Sequence, residues 1–278
     1  MVPVSSKNEY EIAVSIVVYQ NDRKELSTIL ESLRISKRRL MITVVDNSPT
    51  PALRATAKLA GAEYIFVGEN IGFGAGHNLA IRRSLELAPY HAVVNPDVIV
   101  GEDTFDRLIA LMDAHPEVGQ AMPAVYYADG REQRLAKRLP TPVDLFLRRF
   151  LGPVGKRLAK GHWDHYELRD IDLTVTREVP CLSGCFMFLR TTTLRQIGLF
   201  DERYFMYMED VDLCRRIGDV SLTVICPDAK ICHGYSKGSY RNLRLLWFHT
   251  LSAIGYFGKW GWIWDRTRSS RNNRTAPL

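Results

Sequence analysis

Two acidic stretches, one glycine-rich turn and a late histidine hold the residues of this chain that can do chemistry. Asn95-Pro96-Asp97 closes the apolar run Ala92-Val93-Val94. A buried parallel strand ending in a carboxylate is where an open α/β sheet places its ligand chemistry, in the crevice at the carboxyl ends of its strands. Asp97 is therefore a candidate metal ligand, although Asn-Pro is also an ordinary turn signal and an Asp there can serve as a cap. Further on, Phe200-Asp201-Glu202-Arg203-Tyr204-Phe205-Met206 leads to Glu209-Asp210-Val211-Asp212 at the start of a helical pattern. Asp210 shares a face with Leu213, Cys214 and Ile217, which points its carboxylate inward, while Asp212 points elsewhere. Such an acid can cap the free N–H groups of its helix. Alternatively, two acids from separate segments meet across a pocket, one holding a metal and one taking a proton. His233 is of a common metal-ligand type, and a single histidine serves equally as a hydrogen-bonded core residue.

The run Glu69-Asn70-Ile71-Gly72-Phe73-Gly74-Ala75-Gly76-His77-Asn78 opens a helix carrying Ile81, Leu85 and Ala88. Alternating glycines let backbone approach a ligand, and the N-terminus of the following helix favours an anion, so a nucleotide diphosphate suits this turn. A dinucleotide-binding fingerprint would follow the first strand as G-x-G-x-x-G, with an acid about 20 residues beyond it. Here the spacing is G-x-G-x-G after the third strand, Asp46 precedes it, and no Walker A sequence occurs.

The elements that must position these residues alternate. Ile12 to Tyr19 reads as a buried parallel strand, rich in β-branched residues. Asp22 and Glu25 resemble a capping box, followed by Leu26, Ile29, Leu30 and Leu33 at helical spacing. Strand Ile42 to Val45 stops at Asp46-Asn47-Ser48-Pro49, a helix follows from about Pro51, and Tyr64 to Val67 is the next strand. Asp103 caps a helix with Phe105, Leu108, Ile109 and Met112 on one face. Cys185 to Arg190 and Leu222 to Cys226 are later strands, with a short helix around Leu194 and Ile197. Repeated βαβ units predict an open, mostly parallel, Rossmann-like α/β sheet flanked by helices.

With 278 residues, 46% of them hydrophobic, the chain can bury one large core or two modest ones. Its net charge of +6 suits a phosphate-bearing ligand or an anionic surface without selecting either. Five cysteines without a CxxC pair predict a reduced, cytoplasmic chain with buried thiols. The polar N-terminus gives no expectation of a secretory signal, and no apolar run approaches the ~20 residues that span a bilayer. Between Arg131 and Lys160, basic residues alternate with Leu145, Phe146, Leu147, Phe150 and Leu151, as in an interfacial segment or a solvated helix face. Beyond Lys237, Arg241, Arg244, Lys259, Arg266, Arg268, Arg271 and Arg274 surround Trp247, Phe248, Tyr256, Phe257, Trp260, Trp262 and Trp264. These aromatics suit either a peripheral contact with an anionic membrane or the covering of the domain's own flank.

The ordered set of motifs from about Val14 to Ser239 resembles the family 2 glycosyltransferases of GT-A fold, in their bacterial rhamnosyltransferase branch. The motifs are Ser15-Ile16-Val17-Val18-Tyr19, Val45-Asp46-Asn47-Ser48, Asn70-Ile71-Gly72-Phe73-Gly74 with Gly76 and Asn78, Asn95-Pro96-Asp97, Gly184, Phe200-Asp201-Glu202 with Tyr204-Phe205-Met206, Glu209-Asp210-Val211-Asp212-Leu213-Cys214 and His233. The resemblance implies a glycosyltransferase domain over residues 1–235, with a nucleotide-binding half at 1–97 and an acceptor and catalytic half at 98–235. A helical, basic and aromatic extension over 236–278 follows. It implies that Tyr19 and Asp46 hold the nucleobase and ribose. Val18, Asn70, Gly72, Phe73, Gly74, Asn78, Asn95 and Asp97 line the nucleotide-sugar site, and Gly184 and Cys185 face the acceptor. Asp97, with His233 as a further ligand, would bind Mg²⁺ or Mn²⁺, and Asp210 would be the general base with Glu209 beside it.

The implied reaction is an inverting transfer of L-rhamnose from dTDP-β-L-rhamnose to a saccharide or polyprenyl-diphosphate-linked acceptor. Its setting would be bacterial surface-polysaccharide assembly, of O-antigen or similar type, at the inner face of the cytoplasmic membrane and with no nucleic-acid partner. A hexosyl or galactofuranosyl donor, and a non-catalytic scaffold that binds sugar nucleotides, are the alternatives. Family metal motifs often hold two acids, whereas here the first position is Asn95, so weaker intrinsic metal binding is expected.

Overall fold

The computed structural model describes residues 9–147, 159–234 and 243–278, and the basic residues Arg148, Arg149, Lys156, Arg157, Lys237 and Arg241 lie outside them. Ten strands form one sheet: β1 (Ile12–Val18), β2 (Leu40–Asp46), β3 (Glu63–Phe66), β4 (Tyr90–Val94), β5 (Val98–Val100), β6 (Val118–Tyr126), β7 (Glu132–Gln133), β8 (Arg177–Glu178), β9 (Phe186–Arg190) and β10 (Leu222–His233). The spatial order is β3-β2-β1-β4-β9-β6-β10-β5, with β7 beside β6 and β8 beside β10. The first four are parallel, as their continuous apolar runs predict. Beyond them the sheet is mixed, because β9 runs antiparallel to both β4 and β6.

Four strands were not foreseen from sequence: β5, β6, β7 and β8. β6 carries Pro123, which cannot donate to a ladder and argues against a central strand. The structure accommodates it opposite Cys226, where the β6–β10 register slips through a bulge. β10 also runs past the expected end at Cys226, as far as His233.

The helices are α1 (Arg23–Arg34), α2 (Arg54–Leu59), α3 (Phe73–Ser84), α4 (Thr104–Ala114), α5 (Lys160–Tyr166), α6 (Thr191–Ile197), α7 (Glu209–Ile217), α8 (Leu243–Trp260) and α9 (Arg268–Asn272), with a π-helical turn at Val143–Leu147. Asp22 caps α1 as expected, its Oδ1 accepting from Glu25 N at 2.7 Å. Asp103 stands before α4 but makes no side-chain cap; it meets Arg107 Nε at 3.3 Å instead. The main core lies between the sheet and its flanking helices.

A second apolar cluster joins Tyr204 and Met208 to Ala253, Tyr256 and Phe257 of α8. Part of the aromatic C-terminal segment therefore covers the domain's own flank, while Trp247, Trp262 and Trp264 remain exposed. The chain end is stitched back as well: Glu178 N donates to Ala276 O and Leu278 N to Thr176 O. Four of the five cysteines are buried free thiols; the expectation of buried thiols fails at Cys232, whose side of β10 faces outward.

The strongest tie between this segment and the rest is a buried ion pair. Arg215 of α7 donates from Nη1 to Asp265 Oδ2 at 2.6 Å and from Nη2 to Asp265 Oδ1, and both side chains are sealed from water. Burial alone would raise the Asp265 carboxyl, but Arg215 overrides it and holds the group below the usual carboxylate range. Removing one partner strands the other charge in the interior. Asp265→Ala is expected to destabilise the fold by about 3–5 kcal/mol, read as a lower midpoint in urea unfolding at unchanged slope.

Candidate active site

Asn95-Pro96-Asp97 is the tight connection between β4 and β5: Val98 N donates to Asn95 O at 3.2 Å, which makes it a turn as well as a site. Because β5 pairs antiparallel with β10, Val98 faces His233, and Asp97 Oδ1 comes within 3.3 Å of His233 Nε2. Gln133 Oε1 lies 3.0 Å from His233 Nδ1, and Gln133 Nε2 donates to the His233 carbonyl at 2.8 Å. That carbonyl fixes the amide's orientation, with Gln133 Oε1 beside Nδ1, and Nε2 is the ring atom facing Asp97. Such a second partner sets tautomer and ring angle in metal-binding histidines. Asp97 also lines a recess of about 300 Å³ with Asp22, Lys24, Pro96 and Gly234.

These residues fit a divalent cation in part. A carboxylate and an oriented imidazole are suitable donors, but among the described residues no group of three or more His, Cys, Asp and Glu side chains is placed to hold a metal. Remaining ligands would have to come from a bound diphosphate and water.

The second acid reaches the same edge through β9. Asn95 N donates to Cys185 O at 2.9 Å, and Gly184 N, one residue earlier, donates to Asp210 Oδ2 at 2.9 Å. Gly184 and Cys185 therefore stand between the two acids. Burial, followed by the charges of Asp97 and Asp210, pushes the Cys185 thiol up to about 12. Asp210 is half-buried, and its Oδ1 accepts from Val211 N at 2.8 Å. Burial raises its carboxyl, opposed by the Gly184 and Val211 N–H groups and by the charge of Lys137.

The start of α7 is unusual. Tyr207 and Met208 both adopt left-handed backbone conformations, at φ of 69° and 68°, which side-chain-bearing residues occupy at a cost. Packing of Met208 against α8 and the bond from Ser252 Oγ to Met206 O at 2.8 Å hold them there.

Three acids follow with three fates. Glu209 is only 5% exposed, and its Oε2 has no hydrogen-bond partner among the described residues. Burial, and then the Asp210 charge, push its carboxyl up to about 8. Asp210 is the least buried of the three. Asp212 points away from the Asp210 face, as read from sequence, but is fully buried there, which the sequence did not foretell. It accepts from Arg216 Nε at 2.8 Å and Trp260 Nε1 at 2.8 Å, and meets Lys259 Nζ at 2.7 Å. The C-terminal segment supplies a second face, which no helical wheel of α7 alone contains.

On the nucleotide side, Val18 and Asp46 are paired residues at the ends of β1 and β2. Asp46 is sealed from water, with Oδ1 accepting from Ser48 N at 2.8 Å and Oδ2 from the Tyr64 hydroxyl. Burial, then this bond, raises the Tyr64 phenol. Tyr19 is exposed beside them. Asn70 Oδ1 accepts from Gly72 N at 3.1 Å.

The glycines turn toward protein. Gly72 sits at φ 93°, where a side chain would overlap the Phe205 carbonyl, and Phe73 N donates to that same oxygen at 3.0 Å. A Cβ on Gly74 would come within 2.9 Å of Phe200, and one on Gly76 within 2.9 Å of Val17. Phe73 packs edge-on to His77, 4.4 Å between centroids. Asn78 is buried, with Nδ2 donating to Phe200 O at 2.9 Å and to Glu202 Oε1 at 2.8 Å, and Oδ1 accepting from Phe200 N at 3.0 Å. Asn78 thus ties the Phe200–Glu202 loop to α3. Sequence reasoning gave no site role to Gln133, Tyr64, Lys137 or Phe205, although Phe205 lies in a quoted motif and Tyr64 opens a predicted strand; each acts through a contact made far along the chain.

A protein-family model described as glycosyl transferase family 2 matches residues 14–198. The N-acetylglucosaminyl-diphospho-decaprenol L-rhamnosyltransferase of Mycobacterium tuberculosis is 29% identical over 240 residues, covering 82% of this chain and 77% of its own. Rhamnosyltransferase WbbL of Escherichia coli is 24% identical over 209 residues, covering 73% and 75%. Among solved structures, GalNAc-T7 with UDP, GalNAc and Mn²⁺ superposes with a TM-score of 0.63 at 15% identity, over 84% of this chain and 45% of that one. The mannosyltransferase PcManGT from Pyrobaculum calidifontis, in complex with GDP-Man and Mn²⁺, gives 0.57 at 15% identity, over 90% and 65%. At such identity the structural likeness speaks for the fold alone, and that fold is GT-A.

Glu209 yields a pH prediction. Its folded pKa lies above its unfolded value, so between the ordinary carboxylate range and about pH 8 the native state holds the extra proton. Stability from this group is therefore complete at low pH and lost as pH rises through that window. The melting temperature of Glu209→Gln should fall several degrees less than that of the wild type between about pH 5 and about pH 8, measured by scanning calorimetry.

Proposed function

The chain belongs to glycosyl transferase family 2, and from that premise we propose that this glycosyltransferase performs an inverting transfer of L-rhamnose from dTDP-β-L-rhamnose to a saccharide on a polyprenyl diphosphate. The observation that carries the reading is the convergence of Asp97 and Asp210 on Gly184-Cys185, one from the end of β4 and one from the start of α7. The donor and acceptor are supported by the printed names of relatives: two are rhamnosyltransferases, and one is named for a diphospho-decaprenol substrate. Surface-polysaccharide assembly at the inner face of the cytoplasmic membrane, where such an acceptor would lie, is the setting proposed.

In this reading Asp210 is the general base. A hydroxyl is a poor nucleophile until a positioned carboxylate removes its proton during attack. The new bond forms at the anomeric carbon from the face opposite the departing nucleoside diphosphate, and the proton passes to Asp210. Raised above the usual carboxylate range, Asp210 is a stronger base than an exposed Asp, while the Gly184 and Val211 N–H groups hold its geometry. Glu209, protonated at neutral pH by its burial, adds no second negative charge beside it.

Tyr19 would contact the nucleoside, with Val18 and Asp46, both sealed from water, supporting that end of the sheet from behind, and Asn70, Phe73 and Asn95 along the diphosphate and sugar. Gly72, Gly74 and Asn78 serve the site by setting the Phe200–Glu202 loop and Phe205 against α3. Mg²⁺ or Mn²⁺, when bound by Asp97 and His233, would supply charge neutralisation for the leaving diphosphate.

Asp210→Asn is expected to lower transfer by about 10²–10⁴-fold while leaving nucleotide affinity unchanged, assayed by nucleotide release and calorimetry. Retained turnover would remove Asp210 from its role. Gln133→Leu removes the partner of His233 Nδ1 and should raise the Mn²⁺ concentration for half-maximal activity by about 10–100-fold. Activity unaffected by EDTA would overturn the metal assignment. Replacing dTDP-rhamnose with a panel of hexosyl and galactofuranosyl donors in the same release assay tests the sugar.

A further inference from the structure

The C-terminal segment leaves an apolar surface that nothing among the described residues covers. Along α8, Trp247, Leu251 and Ile254 recur at helical spacing, roughly opposite the buried Tyr256 and Phe257, and all three are exposed. The chain then turns at Gly261, at φ 105°, where a side chain would overlap the Trp264 carbonyl. This turn presents Trp262, Ile263 and Trp264 outward, the last two 79% and 90% exposed.

The loop is held at both ends. Gly261 N donates to Phe257 O at 2.8 Å, and Asp265, immediately after Trp264, is locked in its pair with Arg215. Exposed aromatic side chains on an anchored loop mark an interaction site. Charge identifies the partner. Residues 236–278 contain eight Lys and Arg against one Asp, an excess of seven in a chain whose total is +6. Part of it is neutralised by acids elsewhere, Lys259 by Asp201 and Asp212, Arg271 by Asp219 and Arg274 by Glu178, while Arg266 stands exposed two residues after Trp264. A second copy of the same surface would meet like charge. Tryptophan favours the boundary between headgroups and acyl chains, and cations favour anionic headgroups. Among the described residues no helix is long and apolar enough to cross a membrane, so the contact is peripheral.

We propose that the outward stripe of α8 and the loop Gly261–Asp265 form a docking surface for an anionic lipid bilayer, with Trp262, Ile263 and Trp264 entering the headgroup layer. The proposal takes its purpose from the lipid-linked acceptor read above, but not its evidence. Asp265 binds Arg215, and Trp260 binds Asp212, both on the helix that begins with Glu209-Asp210. Docking therefore sets the height of the catalytic carboxylate above the membrane through rigid contacts.

Co-sedimentation with vesicles of phosphatidylcholine alone, or with phosphatidylglycerol added, and without saccharide or donor, tests the surface. The wild type should bind the anionic vesicles and be released progressively by salt. The double variant Ile263→Ser, Trp264→Ser should bind about tenfold or more weakly with an unchanged melting temperature. Binding to neither vesicle, equal binding by the variant, or an oligomer dispersed by the same substitutions would overturn the proposal, the last by assigning the surface to a second copy. Donor hydrolysis without acceptor separates the two readings. A variant that hydrolyses dTDP-rhamnose normally but no longer sediments supports docking. A wild type that sediments but never turns over the donor also supports docking, and overturns the reaction alone.

Discussion

The antiparallel placement of β9 against β4 is the constraint on which the rest of the site depends. A parallel neighbour would begin at the same edge as β4 begins, and its leading loop would lie at the far end from Asp97. Running the other way, β9 brings the residues just before it, Gly184 and Cys185, to the edge where β4 finishes. Backbone groups then do the positioning: Cys185 O binds Asn95 N, and Gly184 N binds Asp210. A short antiparallel pair of β5 with β10 does the same for His233 and Asp97. Two reversals in one sheet thus assemble a cluster from segments more than a hundred residues apart.

Positioning of α7 comes from behind. The helix begins after two left-handed residues, a conformation that persists only where surroundings over-determine it. Here the surroundings are Tyr256 and Phe257 against Met208, Lys259 and Trp260 on Asp212, and Asp265 on Arg215. A buried Arg–carboxylate pair adds little net stability over an apolar pair of similar size, because desolvating both charges offsets much of their attraction. Its effect is directional: a two-pronged guanidinium bond fixes orientation as well as distance. The C-terminal segment is in this sense part of the architecture of the candidate site, and the same segment carries the exposed tryptophans.

Environment divides the labour among neighbouring acids of similar chemistry. Glu209 is buried with one oxygen unpartnered among the described residues and holds its proton; Asp210 is half-buried between two N–H donors; Asp212 is buried with three partners that bring positive charge or donors. Burial raises a carboxyl, and cations and N–H donors lower it, so side chains one residue apart titrate differently. On the opposite side Asp46 is enclosed by Ser48 and Tyr64, and the Tyr64 phenol is raised by burial and by its bond to Asp46.

Much of this protein was legible in its sequence because local pattern carries the information. Continuous β-branched runs marked β1, β2 and β4, helical spacing marked α1, and Asp22 marked its own cap, since each depends on residues within a few positions. The ordered motifs were enough to identify the family and to name Asp97, Asp210 and His233. What stayed hidden lay in contacts between distant segments: Pro123 inside β6, tolerated only at a bulge made with β10; the burial of Asp212, which needs Lys259 and Trp260; and the glycines of α3, which turn toward Phe205, Phe200 and Val17. The sequence by itself determined which strands alternate with which helices and which acids stand at their ends, because backbone propensity and apolar period are set by near neighbours. Only the tertiary structure decided that two of those acids share an edge, that the third is a buried anchor, and that the final tryptophans face out, because burial and pairing are set by chain segments that meet only on folding.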